Sequence, residues 1–403
     1  MISLNRIKHS DLMIYDQSSE RHVVPLLGKQ DYIVFDPTLS NINLWAALSS
    51  LRFGRPSLQS YLAAYATLAR IKIIISTIDN SPALFQIKTY KPHISVVVIQ
   101  NGRRDTIAKF PGRSFVAELS KQNLKHRNAV DFYFVFGQCE VEQFAPLINC
   151  KFVQHGSLKN NYLKLTPSLE EPVVSFISGL PNDAHLLLEQ TDRVIGFDGV
   201  VPIYMNDYYE AEFLVAEWVH RYCVSQDLKF QIIGKRNSTF TAQEEMYRRR
   251  IAGNWAFHPS DYEYSSYDAI IGSKYVAGVD STLLLEMFGL GKRTAFFTIR
   301  GAMPRVPRLR CADFGYPLFP DQSGPMWTNQ PSEPEFRRVM DFVVSSSDDE
   351  WRSTVMEYSP FVMAHDHGNA TITKILKSLG VTVEESQSRR SESAHLTYAK
   401  STL

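Results

Sequence analysis

Two short runs, Ile71–Thr77 (IKIIIST) and Ile94–Gln100 (ISVVVIQ), constrain the fold more than any other feature of the chain. A strand with one wet face alternates apolar and polar residues. A strand that is apolar almost throughout is covered on both faces, as in a parallel sheet between layers of helices. Asp31–Asp36, Asp131–Gly137 and Lys151–His155 have the same character. Helical patterns lie between them. Ser57–Arg70 is the clearest, with Ser57 as N-cap and Leu58, Tyr61, Leu62, Tyr65 and Leu68 on one face.

The second half repeats the alternation. Val173–Ser178, Lys229–Gly234, either Ala269–Ile271 or Tyr275–Gly278, and Thr294–Ile299 read as strands, and Asn206–Ser225 and Ser281–Leu290 as helices. Over 403 residues this predicts two α/β domains with Rossmann-like parallel sheets, residues 1–165 and 166–380, joined by the polar stretch Leu163–Pro172. From Val381 the sequence loses large apolar residues and periodicity, and 381–403 reads as a disordered tail or linker.

Bulk properties exclude several classes. A formal net charge of +1 carries no nucleic-acid signature. The four cysteines form no CxxC pair and read as reduced thiols, not as a disulfide framework or zinc site. The N-terminal stretch has no apolar core of a signal peptide, and no run reaches the roughly 20 apolar residues of a spanning helix. The expectation is a cytoplasmic protein that touches the inner membrane face at most.

In an open α/β sheet, ligands bind beyond the carboxyl ends of the strands, so the residues there are the candidates. In the second half Gly278–Val279–Asp280–Ser281–Thr282 ends a strand and opens a helix. Hydroxyls and free amides at a helix start suit phosphate oxygens. Glu286, one turn on, can accept from ribose hydroxyls, and Gly289 and Gly291 close the helix. The same stretch also reads as an ordinary capped helix. Lys235 and Arg236 follow a strand and could neutralise a departing phosphate. His258–Pro259 ends the run Trp255–Phe257 and could bond a phosphate or base; it also reads as a turn.

In the first half, strand ends run into Asp79, into Asn101–Gly102–Arg103–Arg104–Asp105, and into His155–Gly156–Ser157. Transfer of a group to an alcohol needs a base or a carboxylate nucleophile. Asp79 is the first candidate, with Asp105 and His155 next; Asp79 could equally cap the turn before Ser81–Pro82. Asn101 and Arg103 are candidate acceptor contacts. Asp198, between glycines, reads as a site carboxylate or a turn. No DxD triplet occurs, Asp348–Asp349–Glu350 reads as the acidic first turn of a helix, and no metal-ligand spacing emerges, so no metal and no cofactor are expected.

Several of these segments resemble bacterial surface-carbohydrate biosynthesis proteins. They are Ser76–Asn80, Ile99–Arg103, Phe134–Gly137, Gly156–Ser157 with Asn160–Asn161, Val279–Thr282 with Glu286, and Gly324–Asn329. The resemblance covers roughly residues 30–380. It implies a GT-B glycosyltransferase with two facing Rossmann-like domains, the first for the acceptor and the second for a nucleotide sugar. It places Ser281, Thr282 and Glu286 on the donor. His258–Pro259 also looks like the His-Pro element of transferases that use CMP-activated sialic acid or Kdo. That implies a CMP-sugar donor and a lipid-linked or oligosaccharide acceptor of a lipopolysaccharide or capsule. A sugar-nucleotide epimerase, a polyol-phosphate transferase and a non-catalytic glycan-assembly scaffold remain alternatives.

Overall fold

The computed structural model describes the chain except residues 1, 105–106, 122–127, 166–169, 182–185, 187–191, 236–239, 261, 263, 304–305, 307–308, 321 and 384–403. It divides into two compact units. The first comprises residues 1–104, 115–163 and 364 onward; the second comprises 105–114 and 164–363.

The first unit is built on a six-stranded parallel sheet: β1 (Leu12–Tyr15), β2 (Tyr32–Phe35), β3 (Ile73–Ser76), β4 (Ser95–Ile99), β5 (Ala129–Val135) and β6 (Asn149–Gln154). Their spatial order is β2-β1-β3-β4-β5-β6. The uninterrupted apolar runs have the burial this topology demands: Ile74, Ile75 and all four residues from Val96 to Ile99 are fully buried. One face packs on the helix Leu58–Ala69, through Tyr61, Leu62, Ala63 and Ala66. Ser57 caps that helix in a capping box with Ser60. The opposite face packs on Ile372 and Leu376 of the helix Ala370–Ser378, with Val381 and Val383.

That last contact corrects the sequence reading at its C-terminal end. Val381 and Val383 are buried. Gly28 donates its backbone N–H to the Thr382 carbonyl at 2.8 Å, and Leu27 bridges Val383 antiparallel. Residues 381–383 therefore complete the first unit's core, and the remainder of the expected tail lies outside the described residues. The domain limits shift for the same reason: Ala364 to Val383 belong to the first unit, not the second.

The second unit holds another six-stranded parallel sheet: β7 (Glu171–Ile177), β8 (Lys229–Ile233), β9 (Ala256–His258), β10 (Ser273–Gly278), β11 (Arg293–Phe297) and β12 (Trp327–Thr328). The order is β9-β8-β7-β10-β11-β12, the arrangement 3-2-1-4-5-6 of dinucleotide-binding sheets. Of the two alternatives near residue 270, Ser273–Gly278 is the strand and Ala269–Ile271 ends the helix Ser265–Ile271. The helix Met205–Ser225 covers the sheet with Ala211, Val215, Ala216 and Val219 fully buried. Asp198 sits in the tight turn of the hairpin Val194–Asp198/Val201–Tyr204, where Gly199 takes φ +59. Asp348–Glu350 form the first turn of the helix Asp348–Val362, capped by Ser347.

Each sheet reverses its strand order once, between β1 and β3 in the first unit and between β7 and β10 in the second. Crevices for ligands open at such points.

Candidate functional site

At the second unit's reversal point, β7 runs into Ser178–Gly179 and β10 into Val279–Asp280. Ser281 is the N-cap of the helix Thr282–Leu290, and its own side chain makes no capping hydrogen bond. The positive end of the helix dipole lies at this loop, where a negative charge is favoured. Gly291 ends the helix in the left-handed region at φ +102. Glu286 lies one turn from Thr282 and is buried, and Tyr267 donates its hydroxyl to Glu286 Oε2 at 2.6 Å. Lys235 is exposed just past β8, its backbone N–H donating to Gln243 at 3.1 Å. His258 closes β9, and partial burial lowers its pKa, favouring the neutral ring. His258 and the start of the Ser281 helix share one sheet edge. They stand three strand spacings apart, about 14 Å. Arg236 lies outside the described residues.

Beneath this edge is an ionic cluster without a local sequence signature. Arg300, 1% exposed, donates Nε to Asp280 Oδ2 at 2.8 Å and Nη2 to Glu212 Oε2 at 2.7 Å. Nη1 donates to the Tyr208 carbonyl, and the guanidinium lies 4.2 Å from the Tyr208 ring centroid. Glu212 also accepts from the Gly179 amide at 2.6 Å. A Cβ at Gly179 would come within 2.9 Å of Glu212 Oε2, so the close approach of backbone to carboxylate requires glycine. Burial raises the Glu212 pKa against the opposing pull of Arg300. Asp280, read from sequence as a cap or phosphate-side residue, is instead an anchor for Arg300 and fixes the loop that presents Ser281.

The first unit carries a different cluster at the carboxyl ends of β3, β4 and β5. Asp79 is fully buried. Its two oxygens take the Arg104 guanidinium fork, Nε to Oδ2 at 3.0 Å and Nη2 to Oδ1, and Tyr133 donates to Oδ2 at 3.3 Å. Burial raises its pKa while Arg104 opposes the shift. Fully buried and held on both oxygens, Asp79 meets Arg104 and Tyr133, not the cleft, which speaks against the reading of it as base or nucleophile. It positions Arg104. His155 is corrected likewise. It is fully buried against the Phe134 ring, with Asn161 Nδ2 3.3 Å and Asp366 Oδ2 3.6 Å from Nε2. Burial drives its pKa down to about 4, so it is a neutral core histidine. Asn161 extends this network to Asn369 and to the Asp366 amide, docking the C-terminal segment. Asp105 lies outside the described residues. Asn101 is exposed and Arg103 half-buried.

Glu140 is the group that sequence reasoning missed. It sits in the first turn of the helix Gln138–Phe144, after β5, and is 6% exposed. Gln100 hydrogen-bonds its carboxyl group, and Arg103 acts on it electrostatically. Among the described residues its Oε2 has no partner. Burial pushes its pKa up to about 7, with Arg103 opposing. A carboxylate with one unused oxygen and a pKa at neutrality has the properties of a general base. No periodicity or spacing in QCEVEQF marks it.

With this geometry in view, the comparisons with known proteins can be placed. A family described as "putative O-antigen biosynthesis protein" matches residues 97–380, well over half of the chain. The chain belongs to that family. The match begins within β4 and takes in Glu140, the Ser281 helix and Arg300. No curated protein matches it by sequence. Among solved structures it is similar to the wall teichoic acid polymerase TagF, at 12% identity and TM-score 0.47 over 92% of this chain and 89% of that one. It is similar to the pneumococcal O-GlcNAc transferase GtfA in complex with UDP and GlcNAc, at 13% and 0.46 over 80% and 60%. It is also similar to S. aureus MnaA with UDP, at 8% and 0.46 over 92% and 96%.

Proposed function

We propose that this O-antigen biosynthesis protein is a GT-B-type glycosyltransferase that moves a sugar from a nucleotide donor to a surface-glycan acceptor. The observation that carries the reading is the second unit's reversal point. A sheet in 3-2-1-4-5-6 order there presents a helix start, Ser281–Thr282, just beyond the carboxyl end of β10, where a helix dipole favours a phosphate. In this reading the donor phosphate rests on Ser281 and Thr282, Glu286 takes the ribose, and Lys235 offsets the charge on the leaving phosphate. The neutral imidazole of His258, with Pro259, meets the base. That favours a cytidine nucleotide, and with it a CMP-activated sugar such as Kdo. No cofactor or metal is assigned to the reaction.

The first unit receives the acceptor, a lipid-linked or oligosaccharide glycan contacted by Asn101 and Arg103. Glu140 Oε2 takes the proton from an acceptor hydroxyl. The acceptor's hydroxyl oxygen bonds to the donor's anomeric carbon as the carbon–phosphate oxygen bond breaks, and the electron pair leaves with the nucleotide. The test is thermal shift with CMP, UDP, GDP and CDP, because a ligand of the native state raises the melting temperature. CMP should give the largest rise and Ser281→Ala should reduce it. A flat response to all four nucleotides defeats the donor assignment, and a preference for UDP or GDP defeats the cytidine reading alone.

A further inference from the structure

Five large apolar side chains of the first unit stand in solvent together: Ile2, Leu4, Trp45, Leu48 and Leu51, each 52–68% exposed. The backbone brings them to one place. The strand Ile2–Ser3 pairs in parallel with Ile42–Asn43, and the helix Leu44–Ser50 follows directly. Trp45 donates its indole N–H to the Leu4 carbonyl at 3.1 Å, which fixes the ring beside the N-terminal strand with its face uncovered. Leu48 lies one turn further along the helix and Leu51 a turn beyond that. The opposite side of the helix does the folding work, with Ala46 and Ser50 buried. Single exposed apolar residues are ordinary; a contiguous group rimmed by polar residues marks an interaction surface.

The rim identifies the partner. Arg6, Arg52 and Arg55 are exposed around the patch, and Lys91 stacks over the Phe53 ring at 5.3 Å. Acidic residues are missing from the sequence that builds it: none occurs in residues 1–10, and none between Asp36 and Asp79. Over the whole chain the two signs nearly balance, for a net charge of +1. An apolar face with an interfacial tryptophan and exposed arginines at its rim complements an anionic lipid surface. We infer that this face of the first unit docks on an anionic phospholipid bilayer, with Trp45, Leu48 and Leu51 entering the acyl boundary and the arginines meeting lipid phosphates. The inference is independent of the transferase reading, since lipid binding requires no turnover.

The experiment is co-sedimentation of the full chain with vesicles of phosphatidylglycerol and phosphatidylethanolamine, against vesicles of phosphatidylcholine alone. Binding to the anionic vesicles, weakened by salt, is expected. Trp45→Ser with Leu48→Ser and Leu51→Ser should weaken it by more than about tenfold, as should Arg52→Glu with Arg55→Glu. All five positions are exposed, so the melting temperature should stay near that of the parent. The charge-reversal pair keeps the test decisive if the triple variant misfolds. Three results overturn the proposal: no binding to anionic vesicles, equal binding to phosphatidylcholine, or binding that neither variant changes. Self-association in light scattering that the triple variant abolishes, without lipid binding by the parent, would assign the face to a second copy instead.

Discussion

The carboxyl edges of the two sheets each bury arginine against carboxylates, and they leave opposite things unfinished. In the second unit Arg300 is held by both Asp280 and Glu212, so its charge is spent inside the protein and the opening beside it is backbone, the start of the Ser281 helix. In the first unit Arg104 is spent on Asp79, while Glu140 keeps a buried oxygen with no described partner. One edge offers donors to an anion and the other offers an acceptor to a proton.

The comparison breaks first at Glu140. Glu140→Gln should lower turnover roughly 100- to 10,000-fold with nucleotide affinity unchanged, read from nucleotide release and thermal shift. Near-normal turnover removes it from the chemistry. Arg300→Met should act on stability instead, costing about 3–5 kcal/mol in urea denaturation, because two neighbouring carboxylates lose the cation between them. A small cost would mean that the cluster is not a structural keystone of the donor edge.

A pH experiment sharpens the contrast within the first unit. Glu140 holds its proton more tightly folded, at about 7 against an ordinary 4.5. Its contribution to stability is therefore full below 4.5 and is lost as pH rises through about 7. His155 is the reverse, about 4 against 6.5, so its contribution is full above 6.5 and is lost as pH falls through about 4. Between 4.5 and 6.5 the two slopes oppose each other, each about 1.4 kcal/mol per pH unit. Glu140→Gln should therefore lose stability relative to the parent by about that much per unit on acidification from 7 to 4.5. Parallel curves would show that Glu140 titrates in an ordinary way. A smaller effect than for Arg300→Met is expected for Glu212→Gln, about 1–3 kcal/mol, since Oε1 accepts from Gly179 and Oε2 from Arg300 and an amide oxygen can keep only one of these two bonds. A large loss would show that the full negative charge is needed.

Both sheets were legible because parallel strands announce themselves as unbroken apolar runs, and Ser281 because a helix start has a local signature. Leu12–Tyr15 was not: four apolar residues between Asp11 and Asp16 are too short to declare a strand, although this one flanks the first reversal point. The side-chain roles escaped for a different reason. Asp79 and Arg104 are 25 residues apart, and Glu212 and Arg300 are 88. Nothing local tells a free aspartate from one in a guanidinium fork, or an exposed helical glutamate from a buried one.

The return of the chain to the first unit sets an order of assembly during synthesis. By Met363 the second unit has every residue it uses, whereas the first still lacks Ile372, Leu376, Val381 and Val383, which help to cover one face of its sheet. Until those residues leave the ribosome, Ile75, Val97 and Ile99 of β3 and β4 share their cluster only with earlier residues such as Val23, Leu26, Leu27 and Leu158. The unit made first is thus finished last, and its nascent form presents an apolar sheet face for a chaperone to hold.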